Sequence, residues 1–193
     1  MKPPFEIPYT RVEIAATLRA EVGAVHDFFA EIEEERFFEG EDGVWSPAEN
    51  LVHLIKSASP VVQALRAPKM VLRAQFGKAK HVSRSLPEVR HTYVDEALAG
   101  GGVATGGFLP QVTEETAAER ARILDKWQSK NEQLLVGMES WSEEQLDTYQ
   151  LPHPLLGNMT VREILLFTVY HNLHHVNDVQ RLLGMEEEDW LPS

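Results

Sequence analysis

Residues 160–184, TVREILLFTVYHNLHHVNDVQRLLG, contain the start, body and stop signals of one long helix. Thr160 and Glu163 stand three apart as a capping box, in which each side chain satisfies a backbone N–H of the other residue. Gly184 suits the left-handed position just past a helix end. Between them, Val161, Leu165, Val169, Val176, Val179 and Leu183 recur at helical spacing. An apolar stripe of that length must be covered by other elements. No segment alternates convincingly with the period of two that a half-buried strand needs, so the cover is expected to be helical.

Three further segments repeat the pattern. Ile14, Leu18, Val22, Val25, Phe29 and Ile32 mark a helix over about 11–33, closed by the acidic run EIEEER. Ser46, Pro47 and Glu49 open a second, with Leu51, Leu54, Ile55, Ala58, Val62 and Leu65 as its core stripe. Pro60 should kink or shorten it. The third spans about 114–139, with Thr113 as its cap and Ala121, Leu124, Trp127, Leu134, Leu135 and Met138 on its apolar face. A short helix near 68–76 should end at Gly77, and SEEQ (142–145) should cap another turn. ALAGGGVATGGFLP (97–110) reads as a crossover loop, because five of its 14 residues are glycine; such a loop is either an ordinary connection or a lid. The expected fold is all-α: an antiparallel four-helix bundle in one domain, 1–193, with a long crossover between helices 2 and 3.

Composition removes several functions. The net charge of −12 and pI near 5.1 repel phosphate backbones, and no stretch is strongly basic, which argues against a nucleic-acid partner. The absence of cysteine removes disulfides, thiolate ligands and a cysteine nucleophile together. The longest apolar run, ILLFTVY, falls far below the ~18–20 residues that span a bilayer. The start, MKPPFEIPYT, lacks the apolar core of a leader. A cytoplasmic protein without a membrane partner is expected.

The histidines carry most of the functional content. Each helical residue turns by about 100°. With His171 at zero, the apolar stripe of its helix lies at about 80–160°, His175 near 40°, Asp178 near −20° and His174 near −60°. His171, His175 and Asp178 therefore line the edge of the core face, while His174 points away as a surface or interface residue. Two imidazoles at i and i+4 can chelate one divalent ion; they can equally be polar residues at the bundle rim. A third ligand would have to come from His26, His53, His81, His91 or His153, and spacing alone does not choose among them. Leu166 and Leu173 point away from the centre of the stripe, which is compatible with a helix-on-helix homodimer.

WSPAENLVHL (45–54), with its Trp ahead of a single His, resembles the start of the second helix of the DinB-like metal-binding bundles. HPLLGNMTVREILLFTVYHNLHHVNDVQRLL (153–183) resembles their last helix more strongly, through HP-x-x-G-x-x-T followed by H-x-x-H-H. The resemblance covers the whole chain as an order of elements. It implies a four-helix bundle in which His53, His171 and His175 hold a divalent metal, with His174 excluded. This chain has Asp178 where the family often has Gln. A carboxylate there would orient His171 or His175, act as a base or add a ligand, and Glu49, one turn before His53, would do similar work.

Three neutral imidazoles suit Zn, Ni, Fe or Mn and leave coordination positions open, as in catalytic sites. The resemblance implies a metal-dependent enzyme acting on a small-molecule substrate, such as a thiol-dependent S-transferase with a low-molecular-weight thiol cosubstrate, or a related transferase or hydrolase. The alternative is a non-catalytic, metal-stabilised helical module that dimerises or binds a partner. The chain contains no phosphate-cradling glycine loop of P-loop type.

Overall fold

Side-chain caps set where the helices begin. Thr10, Ser46 and Thr160 each accept a hydrogen bond from the N–H three residues on. In return, the carboxylates of Glu13, Glu49 and Glu163 accept from the N–H of the capping residue. The computed structural model describes residues 7–186; positions 1–6 of the chain start read above lie outside it. In chain order its elements are α1 (Arg11–Glu31), α2 (Glu34–Phe38), α3 (Pro47–Arg66), α4 (Lys69–Phe76), α5 (Leu86–His91), α6 (Ala117–Met138), α7 (Glu143–Thr148), β1 (Gln150–His153), β2 (Gly157–Thr160) and α8 (Val161–Leu182). A π-helical turn, Thr92–Leu98, continues α5, and a single 3₁₀ turn, Gly106–Phe108, lies in the glycine-rich crossover.

The structure is a four-helix bundle of α1, α3, α6 and α8 with a long crossover between α3 and α6, as the periodicity predicts. Several details differ from expectation. α6 starts from Thr116 rather than Thr113, and the Thr116 hydroxyl accepts from the N–H of Glu119. α3 is not shortened at Pro60 and runs on to Arg66. Packing against α6 and α8 outweighs the backbone bond that the proline removes, and the Ser59 hydroxyl donates to the Ile55 carbonyl nearby. β1 and β2 form an antiparallel hairpin that the sequence pattern does not reveal, pairing His153 with Gly157 and Gln150 with Thr160. Gly157 takes φ +69° at its turn, a conformation that suits glycine.

Chain direction follows from the contacts at the helix ends. Arg120, at the start of α6, donates to the carbonyls of Ala30 and Ile32 at the end of α1, so those helices are antiparallel. Asn50 and His53 of α3 meet His175 and His171 of α8, so that pair is antiparallel too. Trp141, just past α6, donates to the Leu65 carbonyl near the end of α3, and Arg162 of α8 donates to the Tyr9 carbonyl ahead of α1. The crossover therefore returns the chain so that α6 runs parallel to α3, and α8 runs parallel to α1.

Gly137 lets α6 approach α3: a Cβ built there would lie 3.0 Å from Leu65 Cβ. Gly137→Val should lower stability by about 1–3 kcal/mol through overpacking. Chemical denaturation measures this, and an unchanged midpoint would show that the contact is slack.

Two apolar clusters fill the bundle. One is built around Ile14, Leu134 and Leu165, the other around Phe29, Leu51 and Trp127. Buried polar residues from all four helices include Glu21, His53, Asn131, His171, Asn172 and His175. Burial pushes the Glu21 carboxyl, beside Asn172, well above the usual carboxylate range, which favours its neutral form. α8 is buried on nearly every side. Leu166 and Leu173 lie inside this chain's own core, so the proposed helix-on-helix dimer face is not available. Its sequence wheel looks one-sided because it counts only the neighbours a bundle supplies, whereas α5 and the hairpin also cover α8. No helix among the described residues is long and apolar enough to cross a membrane.

Candidate metal centre

α3 and α8 bring three imidazoles together. One ring nitrogen from each of His53, His171 and His175 lies within 4.8 Å of the other two, and all three residues are buried. The His171 Nε2 atom is 3.3 Å from Nε2 of His53 and 3.0 Å from Nε2 of His175.

The remaining hydrogen bonds fix the ring orientations. His53 Nδ1 donates to the Phe108 carbonyl at 2.8 Å; a carbonyl only accepts, so the neutral ring leaves its lone pair on Nε2. His175 Nδ1 is 2.6 Å from Asn50 Oδ1. The Asn50 amide nitrogen donates to the carbonyls of Trp45 and Ser46, which turns its oxygen toward the ring and again leaves the Nε2 lone pair inward. Two lone pairs therefore face His171 Nε2; one proton there satisfies one of them, and the only other donor near them among the described residues is the Ser57 hydroxyl, at 3.4 Å from His53 Nε2. A cation satisfies all three. Nitrogens bound to one ion at about 2.0–2.1 Å lie about 2.8–3.4 Å apart for right-angle to tetrahedral arrangements, and both distances to His171 Nε2 fall in that range. The donor set fits a divalent ion of the zinc, nickel or iron type.

Burial holds these rings neutral. It pushes His171 well below its ordinary value, reinforced by His175 and His53, and pushes His175 down to about 4. Burial also lowers His53, against the pull of the Phe108 carbonyl. His153, outside the cluster, is likewise depressed by burial to about 4. A depressed folded pKa means that the unfolded chain takes up protons first. The stability held by His153 and His175 is complete above about pH 6.5 and is lost as pH falls toward 4, at most about 3 kcal/mol each. The melting temperature of the metal-free chain should drop across that window, and the drop should be shallower in His153→Asn; a flat profile would contradict the buried neutral rings.

Asp178 lies 3.3 Å from His175 Nδ1, beyond the closer Asn50 oxygen, and also pairs with Arg181. Burial opposes its charge, but His175, His174 and Arg181 hold its pKa below the usual value. It sits on the outer side of the His175 ring, away from the three Nε2 atoms, where it can orient the ring. Glu49 does not reach the cluster: its carboxylate is bonded back to the Ser46 N–H at 2.8 Å. His174 stands apart, packed edge-on against Tyr93 with ring centres 5.6 Å apart. His81 bonds Glu163 at 3.1 Å, His91 pairs with Asp95 at 2.8 Å, and His26 lies 3.5 Å from Asp27.

Sequence reasoning missed Asn50 and the Phe108 carbonyl. Asn50 had a signal, since i to i+3 places it on the face of His53. Phe108 had none, because a backbone acceptor 55 positions away leaves no side-chain trace. The crossover therefore does more than connect: Phe108 anchors His53, and Lys56 donates to the Leu109 carbonyl at 2.6 Å. A cavity of about 410 Å³ opens beside His53 and His171, walled by apolar side chains that include Leu54, Phe76, Phe108 and Leu155.

The fold and site define a helical bundle with a buried three-imidazole cluster shared by its second and last long helices. The chain belongs to the DinB superfamily, whose family profile matches residues 17–179. Among solved structures it is similar to YfiT from Bacillus subtilis, at 13% identity and a TM-score of 0.55, over 96% of this chain and 95% of that one. That protein is described as a probable metal-dependent hydrolase with an unusual four-helix bundle topology. No curated protein matches the chain.

Proposed function

We propose that the chain is a divalent-metal-dependent enzyme that hydrolyses a small, uncharged and largely apolar molecule, with His53, His171 and His175 as the metal ligands. The observation that carries this reading is the inward convergence of three ε nitrogens at the wall of an apolar cavity. The likeness to YfiT supports it at the level of fold. A bound ion would supply a water of lowered pKa or a polarised substrate oxygen.

The chain's own residues supply the rest. The Phe108 carbonyl and the Asn50 amide hold His53 and His175 with their ε nitrogens inward. Asp178 supports the outer edge of His175. Leu54, Phe108 and Leu155 give the cavity an apolar wall against which an apolar substrate can pack. Among the described residues lining that cavity, none is Asp, Glu, Lys or Arg. This favours a neutral substrate, since beyond the proposed ion the wall offers a carboxylate-bearing thiol no counter-charge. Asn50→Leu should weaken metal binding about 10–100-fold by freeing His175, as read by competition with a chelating dye.

The deciding experiment is metal analysis of the purified chain, followed by p-nitrophenyl butyrate hydrolysis with and without chelator. Roughly one equivalent of metal per chain, lost in a folded His171→Ala variant, together with chelator-sensitive p-nitrophenol release, is the expected result. Acceleration only when L-cysteine is added would move the assignment to S-transfer. Metal absent after supplemented expression would overturn the enzyme reading in favour of a helical module that acts by binding a partner.

A further inference from the structure

His153 is left over from the metal centre, yet it lines the same cavity as His53 and His171. It ends β1, and its ring closes the hairpin turn. The N–H groups of Leu155 and Leu156 both donate to its Nδ1, each at 3.2 Å. An Nδ1 that accepts two hydrogen bonds carries no proton, so the neutral ring has its proton on Nε2. No hydrogen bond from that Nε2 is made among the described residues. The ring sits edge-on to Phe167, centres 4.5 Å apart, and Phe167 in turn stacks on His171 at 4.7 Å. One aromatic ring thus separates a donor of fixed tautomer from the imidazole cluster.

The surroundings restrict what that donor can meet. With no charged side chain among the described residues lining the cavity, a charged ligand entering the metal-free protein would lose hydration without gaining a counter-ion. A neutral, apolar ligand with one hydrogen-bond acceptor is matched. Of the other polar groups on the wall, the Thr168 hydroxyl already donates to the Ile164 carbonyl and the Ser57 hydroxyl lies 3.4 Å from His53 Nε2, while Gln63, Gln75, Tyr93, Thr105 and Asn172 complete the polar lining, which makes the His153 variants the means of assigning the donor.

We infer that His153 is a substrate-binding residue whose Nε2–H donates to a carbonyl oxygen, so that the cavity selects neutral apolar carbonyl compounds such as esters, amides or ketones. This deepens the enzyme reading and rests on its taking the cavity as the substrate site. Burial keeps the ring neutral down to about 4, so the donor persists through the physiological range.

The test uses metal-free protein and two probes of nearly the same shape, acetophenone and α-methylstyrene, which differ in offering an oxygen or a methylene. Two variants separate the roles of the ring. His153→Asn keeps an acceptor for Leu155 and Leu156 but removes the donor, whereas His153→Gln keeps a donor near the Nε2 position. Binding is followed by NMR titration, with the His153 ring nitrogens observed directly in the parent protein. The expected result is a ketone-to-alkene affinity ratio that falls by about 3–10-fold in His153→Asn, the worth of one hydrogen bond, and is largely kept in His153→Gln. The Nε2 resonance should shift with acetophenone and not with α-methylstyrene. The same ratio in the parent and His153→Asn, an unmoved Nε2 resonance, or no binding of either probe would each overturn the inference. Because no metal is present, a failure here leaves metal binding and p-nitrophenyl ester cleavage to be judged separately, and a chain that binds no metal can still show the ketone preference.

Discussion

With free zinc or nickel about a thousandfold above its Kd, the melting temperature of the chain should rise by about 8–16 °C, and the His171→Ala variant should show no rise. The size follows from linkage: a ligand at that excess that binds only the folded state adds about 4 kcal/mol, and a chain of this length gains about 2–4 °C per kcal/mol. The structural reason lies in the lone pairs. His53 and His175 are held by Phe108 and Asn50 so that both face His171, and an ion turns that repulsion into attraction. His171 is the central ring, 3.0 and 3.3 Å from the other two ε nitrogens, so its removal leaves the remaining pair without a shared partner. Differential scanning fluorimetry with metal and with chelator reads both halves of the prediction. Equal rises in the parent and His171→Ala would place the binding elsewhere.

The second large effect lies away from the histidines. Arg162→Ala should cost about 2–4 kcal/mol in urea or guanidinium unfolding while leaving metal stoichiometry unchanged. The Arg162 side chain is 2% exposed. It donates to Asp147 through Nε and Nη2 at 2.6 and 2.9 Å, to the Tyr9 carbonyl at 2.6 Å and to the Glu143 carbonyl at 3.2 Å. Its guanidinium also lies 4.7 Å from the centre of the Tyr9 ring. Breaking a fully buried pair costs about 3–5 kcal/mol; the figure is set lower here because Asp147 and Glu143 are about half exposed and regain water. Arg162→Lys should recover only part of the loss, since an ammonium cannot make the paired contact to Asp147. A loss below about 1 kcal/mol would show that the carboxylates rather than the guanidinium fix this corner.

What the sequence could reveal was what is local. Ser46 with Glu49 and Thr160 with Glu163 are capping pairs separated by three residues, and both start helices where the pattern places them. The His171–His175 spacing is likewise a property of one turn of one helix, so the wheel puts both rings on the core edge and His174 off it. His53 needed the family resemblance, because its partner rings lie 118 and 122 positions away and no periodicity encodes that distance. The hairpin of β1 and β2 escaped because its turn is closed by an imidazole accepting two backbone N–H groups. Leu166 and Leu173 were misread for a related reason: a wheel shows one helix against one idealised core, and α8 is enclosed from several directions.

The placement of the three imidazoles on the second and last long helices has a consequence for biosynthesis. At translation speeds of about 5–20 residues per second, His171 is added about 6–24 s after His53. Late in that interval a nascent chain has α1, α3 and α6 but still lacks the α8 sequence that completes both the bundle and the imidazole trio. On the proposed ligand assignment, loading of all three imidazoles waits for α8 to be made, and a truncation that removes α8 is expected to lose both the bundle core that α8 fills and two of the three ligands.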